Sequence, residues 1–251
     1  MSTTTLDQLV RIFDGLVELR GIRQAYPDEA VSQFVGFCAG NVTASAAQLF
    51  QDLMVLFFTK GKRGGFFVEF GATNGVDLSN TLVLERQFGW NGILAEPARC
   101  WRPALAANRR CAIDHRCVWK ATGEQLEFHE AASAEFSTIA GLSGRDMHRN
   151  ERTGGSRYGV QTVSLNDLLA VHRSPAAIDY LSVDTEGSEL SILSSFDFAK
   201  YDVSIVTVEH NYCEPDRTRL HDLMTAHGFV RVLTFVSRWD DWYVKRALIG
   251  V

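Results

Sequence analysis

The chain lacks most of the features that assign a protein at sight. Its 251 residues include five cysteines, at 38, 100, 111, 117 and 213, and no two of them form a CxxC pair. That spacing suggests neither a disulfide framework nor a zinc site, and it points to reduced, mostly buried thiols. There is no basic excess. Lys and Arg number 25 against 30 Asp and Glu, a formal charge of -5, which leaves no electrostatic footprint for a nucleic acid partner. The basic clusters in "KGKRGG" and "NRR" are short. The most apolar run, "LMVLFF", is far too short to span a bilayer. "MSTTTLDQLV" has no basic region followed by an apolar run and a cleavage site, so it is not read as a secretory signal. A cytoplasmic location is expected. The sequon Asn41-Val42-Thr43 is discounted because nothing else points to secretion.

What is present is a globular composition, 46% apolar and 22% charged, long enough for one large domain or two small ones. The first sixty residues read as helical. Leu6, Leu9, Val10, Phe13, Leu16 and Val17 recur at helical spacing. A second helix is expected between Pro27 and Gly40, and a third from about Ala46, closed by Gly61. From residue 65 the period changes. "FFVEF", "GWNGILAEP", "CAIDHRCVW", "IDYLSVDTEG" and "VSIVTVEHN" read as buried strands, alternating with helices at 77–88, "RCWRPALAANRR", "SLNDLLAVH", about Ser188 onward and "PDRTRLHDLMTAHG". "GEQLEFHE" reads as an extra strand and "STIAGLSGRDMHRNERTGGSRYG" as a polar loop. "FVRVLTFVSRWDDWYVKR" reads as a final hairpin with its turn near Asp240. The alternation predicts a doubly wound α/β sheet, 63–251, with a helical extension, 1–62, packed on it. Such sheets bind ligands beyond the carboxyl ends of their strands, and four predicted strand ends carry an acid: Glu69, Glu96, Asp184 and Glu209.

The stretch "GGFFVEFGATNGVDLSN" surrounds Glu69 with apolar residues and then places Gly71 and Gly75 where the chain can turn tightly. It is neither GxGxxG nor a P-loop. A carboxylate before the turn suits a ligand with a cationic end better than one with a diphosphate. Glu96 follows Gly75 by twenty-one residues, the place from which an acid accepts hydrogen bonds from ribose hydroxyls. Ribose, adenine and a cationic amino acid end together describe S-adenosylmethionine.

The chain resembles the FkbM-type S-adenosylmethionine-dependent methyltransferases. The resemblance rests on "FFVEFGATNGVDLSNTLVLERQFGWNGILAEP", "FSTIAG", "SLNDLL", "IDYLSVDTEGSELSIL", "VTVEHN" and "RWDDWYV", in that order, over about residues 65–247. It implies a class I methyltransferase (Rossmann-like) fold, a mostly parallel sheet of seven strands with an antiparallel last strand. It also implies methylation of a hydroxyl on a sugar, glycan or polyketide-like small molecule. By the family pattern, Glu69, Gly71 and Gly75 form the cofactor turn, and Ser79, Asn80 and Thr81 begin the helix facing the methionyl end. Glu96 holds the ribose, Cys117, Val118 and Trp119 lie beside the adenine, and Asp184 lies beside the transferred methyl group.

A hydroxyl acceptor must lose a proton. His210 is the first candidate for the base, with an ordinary pKa suited to neutral pH. Asp184 could orient it or bind the hydroxyl, Glu209 stands beside it, and Glu186 and Glu189 are rivals. Asp184, Glu209 and Asn211 could instead hold magnesium or calcium. The metal-free arrangement is preferred. In "WDDWYV", Trp242 reads as packing, while Trp239 could stack on a carbohydrate. Arg145, His148 and Arg152 could close over the acceptor as a lid or belong to a solvated loop. A homo-oligomer is possible. The competing classes are a nicotinamide-dependent oxidoreductase, disfavoured by the missing GxGxxG, and a non-catalytic binding module on the same fold, disfavoured by the retained acids and glycines.

Overall fold

The computed structural model describes residues 3–27, 29–144 and 147–249. They divide into two compact units, Met1–Ser45 and Ala46–Val251. The first holds α1 (Thr3–Ala25) and α2 (Ala30–Asn41). Leu6, Val10, Ile12 and Phe13 of α1 are exposed, whereas Phe34 and Cys38 of α2 are buried.

The division falls at Ser45 rather than at residue 62, because the third helix belongs with the sheet. This helix, α3 (Gln51–Phe58), buries Leu53, Met54, Val55 and Leu56 in succession, as a helix apolar on all sides must. It also starts later than the sequence suggests. Phe50 takes a left-handed φ of 64°, and Asp52 draws the backbone N–H of Ala46 back onto its carboxylate at 3.0 Å. Those two features end any helix running through Ala46–Phe50.

The remaining elements are β1 (Phe66–Phe70), α4 (Leu82–Phe88), β2 (Asn91–Ala95), α5 (Arg102–Asn108), β3 (Ala112–Asp114), β4 (Cys117–Trp119), β5 (Gln125–Glu130), β6 (Thr138–Ile139), β7 (Ser156–Ser164), α6 (Leu165–Val171), β8 (Ala177–Val183), α7 (Glu189–Ser194), β9 (Asp202–Glu209), α8 (Glu214–Ala226), β10 (Phe229–Val232), β11 (Asp240–Lys245) and α9 (Arg246–Ile249). The main sheet has seven strands in the order β10-β11-β9-β8-β1-β2-β3. Its pairings are parallel except those that β11 makes with β9 and β10. The strands are rich in Val, Ile, Leu and Phe because helices cover both faces. Polar groups inside them find partners, as where Tyr180 Oη meets Thr207 Oγ1 at 2.8 Å. Among the described residues no helix is long and apolar enough to cross a membrane.

Three local readings are corrected. "CAIDHRCVW" is two strands in different sheets. Asp114 accepts from the backbone and guanidinium of Arg116, folding the chain sharply between β3 and β4. β4 joins β7, β5 and β6 in a second sheet of four strands. The segment read as a polar loop contains β6, short 3-10 turns and the start of β7. In the final hairpin the loop is 233–239, and Asp240 and Asp241 are buried strand residues. The register sets Asp240 opposite Glu209, which brings a third acid to that strand end.

The helix starting at Leu82 is also shorter than 77–88. Residues 71–81 form an ordered loop over the end of β1, held by the side chain of Glu69. Ser164 caps α6, accepting from the N–H of Asp167 at 3.1 Å.

Candidate active site

At the carboxyl ends of β1, β2, β8 and β9 lies a cavity of about 340 Å³, within the usual range for small-molecule sites. One wall is the loop after β1. Gly71, at φ +71°, opens this loop, and a Cβ there would lie 2.3 Å from the carbonyl oxygen of Asp184. Only glycine lets the chain pass so close to the end of β8. Glu69 projects under the loop. Its carboxylate accepts from the N–H of Asn80 at 2.7 Å, from Ser79 Oγ at 3.2 Å and from Thr81 Oγ1. Arg109 stands 3.6 Å away, donates to Ser79 Oγ and Thr81 Oγ1, and is ion-paired with Glu85 at 2.7 Å. The positive charge expected opposite Glu69 is therefore supplied, at least in part, from within the chain. Asn80 donates its amide to Ser182 Oγ, leaving Oδ1 buried and unpartnered at the cavity. Gly71, Ser79 and Asn80 line the cavity, whereas Gly75 and Thr81 do not. A Cβ on Gly75 would meet Leu105 and Arg109, so this glycine serves the packing of α5.

Glu96 follows β2 directly. One of its oxygens accepts from the N–H of Thr73 at 2.9 Å, the other from the N–H of Ala98 at 2.8 Å. Each retains a lone pair, and the side chain faces the cavity. Burial pushes its pKa up to about 7, against the two N–H donors. Val118, Cys117, Ala95, Pro97 and Phe128 give the adjoining surface its apolar character. Trp119 is not part of it. On an extended strand it points opposite to Val118, and the Lys120 ammonium lies 5.7 Å from its ring.

The far wall is acidic. Asp184 and Glu209 end β8 and β9, and both line the cavity. Burial raises both pKa values. Asp240 and Glu189 push that of Asp184 further, and Asp184 and Glu186 push that of Glu209 further. Oε2 of Glu209 is buried with no hydrogen-bond partner. Glu189 is occupied by its own turn, accepting from Thr185 N, Thr185 Oγ1 and Gly187 N. Asp240 accepts from Gln51 Nε2 at 2.8 Å, a tie from α3 that no sequence pattern announced. Trp239 lines the cavity, and Trp242 is fully buried packing.

His210 is not brought to this cavity. Its ring lines a separate small hollow with Asn211 and Arg217, a hollow that Glu209 also borders. There Nδ1 accepts from the N–H of Tyr212 at 3.0 Å, and Nε2 stands 3.7 Å from Asp241. Burial lowers its pKa. Contrary to expectation, His210 is therefore not among the residues that line the cavity. Asn211 leaves the proposed Asp184–Glu209–Asn211 metal set for the same hollow.

The cover comes from the segment before β7. Arg152 is ion-paired with Glu186 at 2.6 Å and donates to the carbonyls of Phe136 and Ser143. His148 stacks on Phe136, ring centroids 4.6 Å apart, and both line the cavity. The segment is folded rather than solvated. Arg145 lies outside the described residues.

A strand order of this kind, with acids at these four strand ends, defines a class I methyltransferase fold. The chain belongs to the FkbM methyltransferase family, since the family's methyltransferase FkbM domain matches residues 69–233. Comparison with curated proteins finds no match. Among solved structures, the methyltransferase FkbM from Methylobacillus flagellatus KT is 11% identical, with a TM-score of 0.45 over 93% of this chain and 70% of that one. Precorrin-6y C5,15-methyltransferase from Geobacter metallireducens GS-15 is 8% identical, with a TM-score of 0.39 over 77% of this chain and 85% of that one.

Proposed function

We propose that this methyltransferase uses S-adenosylmethionine and methylates a hydroxyl of a sugar, glycan or polyketide-like small molecule. The observation that carries the reading is Glu96. A buried carboxylate at the end of β2 keeps one lone pair free on each oxygen and faces the same cavity as Asp184 and Glu209. That pair of acceptors fits the hydroxyls of a vicinal diol at one end of the cavity. The unpartnered Oδ1 of Asn80 fits an ammonium donor, and Val118 and Phe128 fit the faces of a purine. Bound there, S-adenosylmethionine would supply an electrophilic methyl group on a sulfonium.

The chain's own residues do the rest. Glu96 fixes the ribose, and the loop braced by Glu69 and Arg109 fixes the amino acid end. Asp184 and Glu209 face the acceptor, and one of them takes the hydroxyl proton as oxygen bonds to carbon and the carbon–sulfur bond breaks. Orientation by both walls supplies the proximity that such a displacement needs. Among the described residues no Lys or Arg lines the cavity, while Glu69, Asp77, Glu96, Glu135, Asp184, Glu186 and Glu209 all do. A lining of acids with no cation offers a phosphate or carboxylate no partner, which favours a neutral polyol as acceptor.

Calorimetric titration with S-adenosylmethionine and with NAD tests the cofactor, and a screen of neutral and anionic alcohols with labelled methyl donor tests the acceptor. Saturable binding of the first ligand only, and label on a neutral alcohol, are expected. Binding of NAD alone would overturn the cofactor reading, and label on carbon or only on anionic acceptors the acceptor reading.

A further inference from the structure

Beside the acid pair, one donor atom from each of His148, Glu186 and Glu209 lies within 4.8 Å of the other two. No other trio of His, Cys, Asp and Glu side chains among the described residues is so arranged. The three come from separate parts of the fold: the 3-10 turn Met147–Asn150, the turn after β8 and the end of β9. All three line the cavity. A cluster of this kind can be a coincidence of a polar surface, but Glu209 argues otherwise. The residue is only 8% exposed, and its Oε2 is buried with no donor. A carboxylate oxygen so placed is costly unless it takes a proton or a ligand brings positive charge to it.

We propose that His148, Glu186 and Glu209 bind a divalent transition-metal ion whose remaining coordination positions open into the cavity. An imidazole nitrogen with two carboxylates suits manganese, iron or zinc, whereas magnesium and calcium take all-oxygen sets. Three protein ligands leave room for an exchangeable fourth or further one, as catalytic sites do and closed structural sites do not. Phe136, stacked on His148, sets the plane of the imidazole. Arg152 pairs with Glu186, but a carboxylate offers two oxygens and about four lone-pair directions, so the ion pair and a metal bond are compatible on one side chain. The site differs from the all-oxygen set expected at Asp184, Glu209 and Asn211, because Asn211 lies in the other hollow and His148 reaches in from the cover.

The test needs no methyl transfer, so its failure is distinct from failure of the proposed activity. The full chain, stripped with chelator, is titrated with manganese chloride by calorimetry, and the complex is probed by pulsed electron paramagnetic resonance. About one manganese per chain and modulation from a histidine nitrogen are expected. Glu209→Gln should weaken binding at least about tenfold, in line with losses measured at other metal sites. His148→Gln, at a partly exposed position on the cover, should abolish the nitrogen modulation. Absence of binding by the parent protein to both manganese and zinc overturns the proposal. So does a nitrogen signal that is missing in the parent or that persists in His148→Gln. Circular dichroism on each variant separates lost binding from lost fold.

Discussion

Two pairs of acids stand on the same edge of one sheet in opposite circumstances. Glu69 and Glu96, at the ends of β1 and β2, are met by donors from the neighbouring loops: Ser79, Asn80 and Thr81 for one, Thr73 and Ala98 for the other. Asp184 and Glu209, at the ends of β8 and β9, meet one another side chain to side chain with Asp240 nearby, and Oε2 of Glu209 is buried with no partner. Satisfied carboxylates organise a loop and present a defined recognition edge. Carboxylates left without donors cost stability, and proteins keep such groups where a ligand or a reaction uses them.

The largest effect should come from setting the two pairs against each other. Asp184→Asn keeps shape but removes an acceptor for the hydroxyl proton, and turnover should fall by about 10²–10⁴-fold, the usual contribution of general base catalysis. Cofactor affinity and melting should hardly change. Glu69→Gln should do the reverse. It removes the acceptor of charge-assisted hydrogen bonds from the loop at Ser79–Thr81 and one of the two carboxylates near buried Arg109, leaving Glu85, at a cost of about 1.5–3 kcal/mol. Chemical denaturation would show that loss, with only a secondary loss of rate in whatever protein remains folded. Equal rate losses without destabilisation in both variants would erase the distinction.

Glu96 gives the next effect, in pH. Its pKa in the fold is raised to about 7, so the free protein gains stability from its protonation as pH falls from about 7 toward the ordinary carboxylate range, and loses that contribution as pH rises through 7. Ligand binding carries the opposite sign, because ribose hydroxyls donate to the ionised carboxylate. Affinity for S-adenosylmethionine should decline below pH 7, approaching tenfold per unit, and calorimetry in buffers of differing ionisation enthalpy should record proton release near pH 6 but little at pH 8. Glu96→Ala should lose about tenfold or more at pH 8 and become insensitive to pH over this range. A flat profile in the parent protein would detach Glu96 from the cofactor.

Much of this site was legible in the sequence because strand periodicity and turn glycines act locally. The alternation of strands and helices and the acids at four strand ends follow from short-range patterns, whereas the seven strands and the antiparallel β11 are implied by the family resemblance. What escaped depends on partners far apart in the chain. Arg109 stands in "NRR", which carries no signal of its own, yet it braces the loop around Glu69. Gln51 reaches Asp240 across 189 positions. The cover was readable as polar and glycine-rich, but its fold depends on Arg152 meeting Glu186. The family pattern assigns Gly75 and Trp119 to the cofactor. Packing behind a loop and alternation along a strand assign them elsewhere.

The smallest effect should come from the residue that looked most catalytic. His210 adjoins Glu209 in sequence, and an imidazole beside a strand end invites the role of base. In the structure, however, its ring lines the separate hollow that Glu209 also borders. Nδ1 is committed to the N–H of Tyr212, which steadies a turn where Asn211 and Tyr212 both have positive φ. Nε2 stands near Asp241, whose charge is already shared by Arg217 and Arg231. His210→Gln preserves an acceptor for Tyr212 and some of the bulk. Stability should drop by about 1 kcal/mol, the net worth of a typical hydrogen bond. Turnover should stay within a fewfold of the parent, since Glu209 remains on the cavity side. Binding of S-adenosylmethionine should be unchanged. Single-turnover measurements are needed for the comparison, because slow product release would hide a chemical defect. A loss of a hundredfold or more in that step, with binding intact, would return the proton to His210 and require the strand end to rearrange when the acceptor arrives.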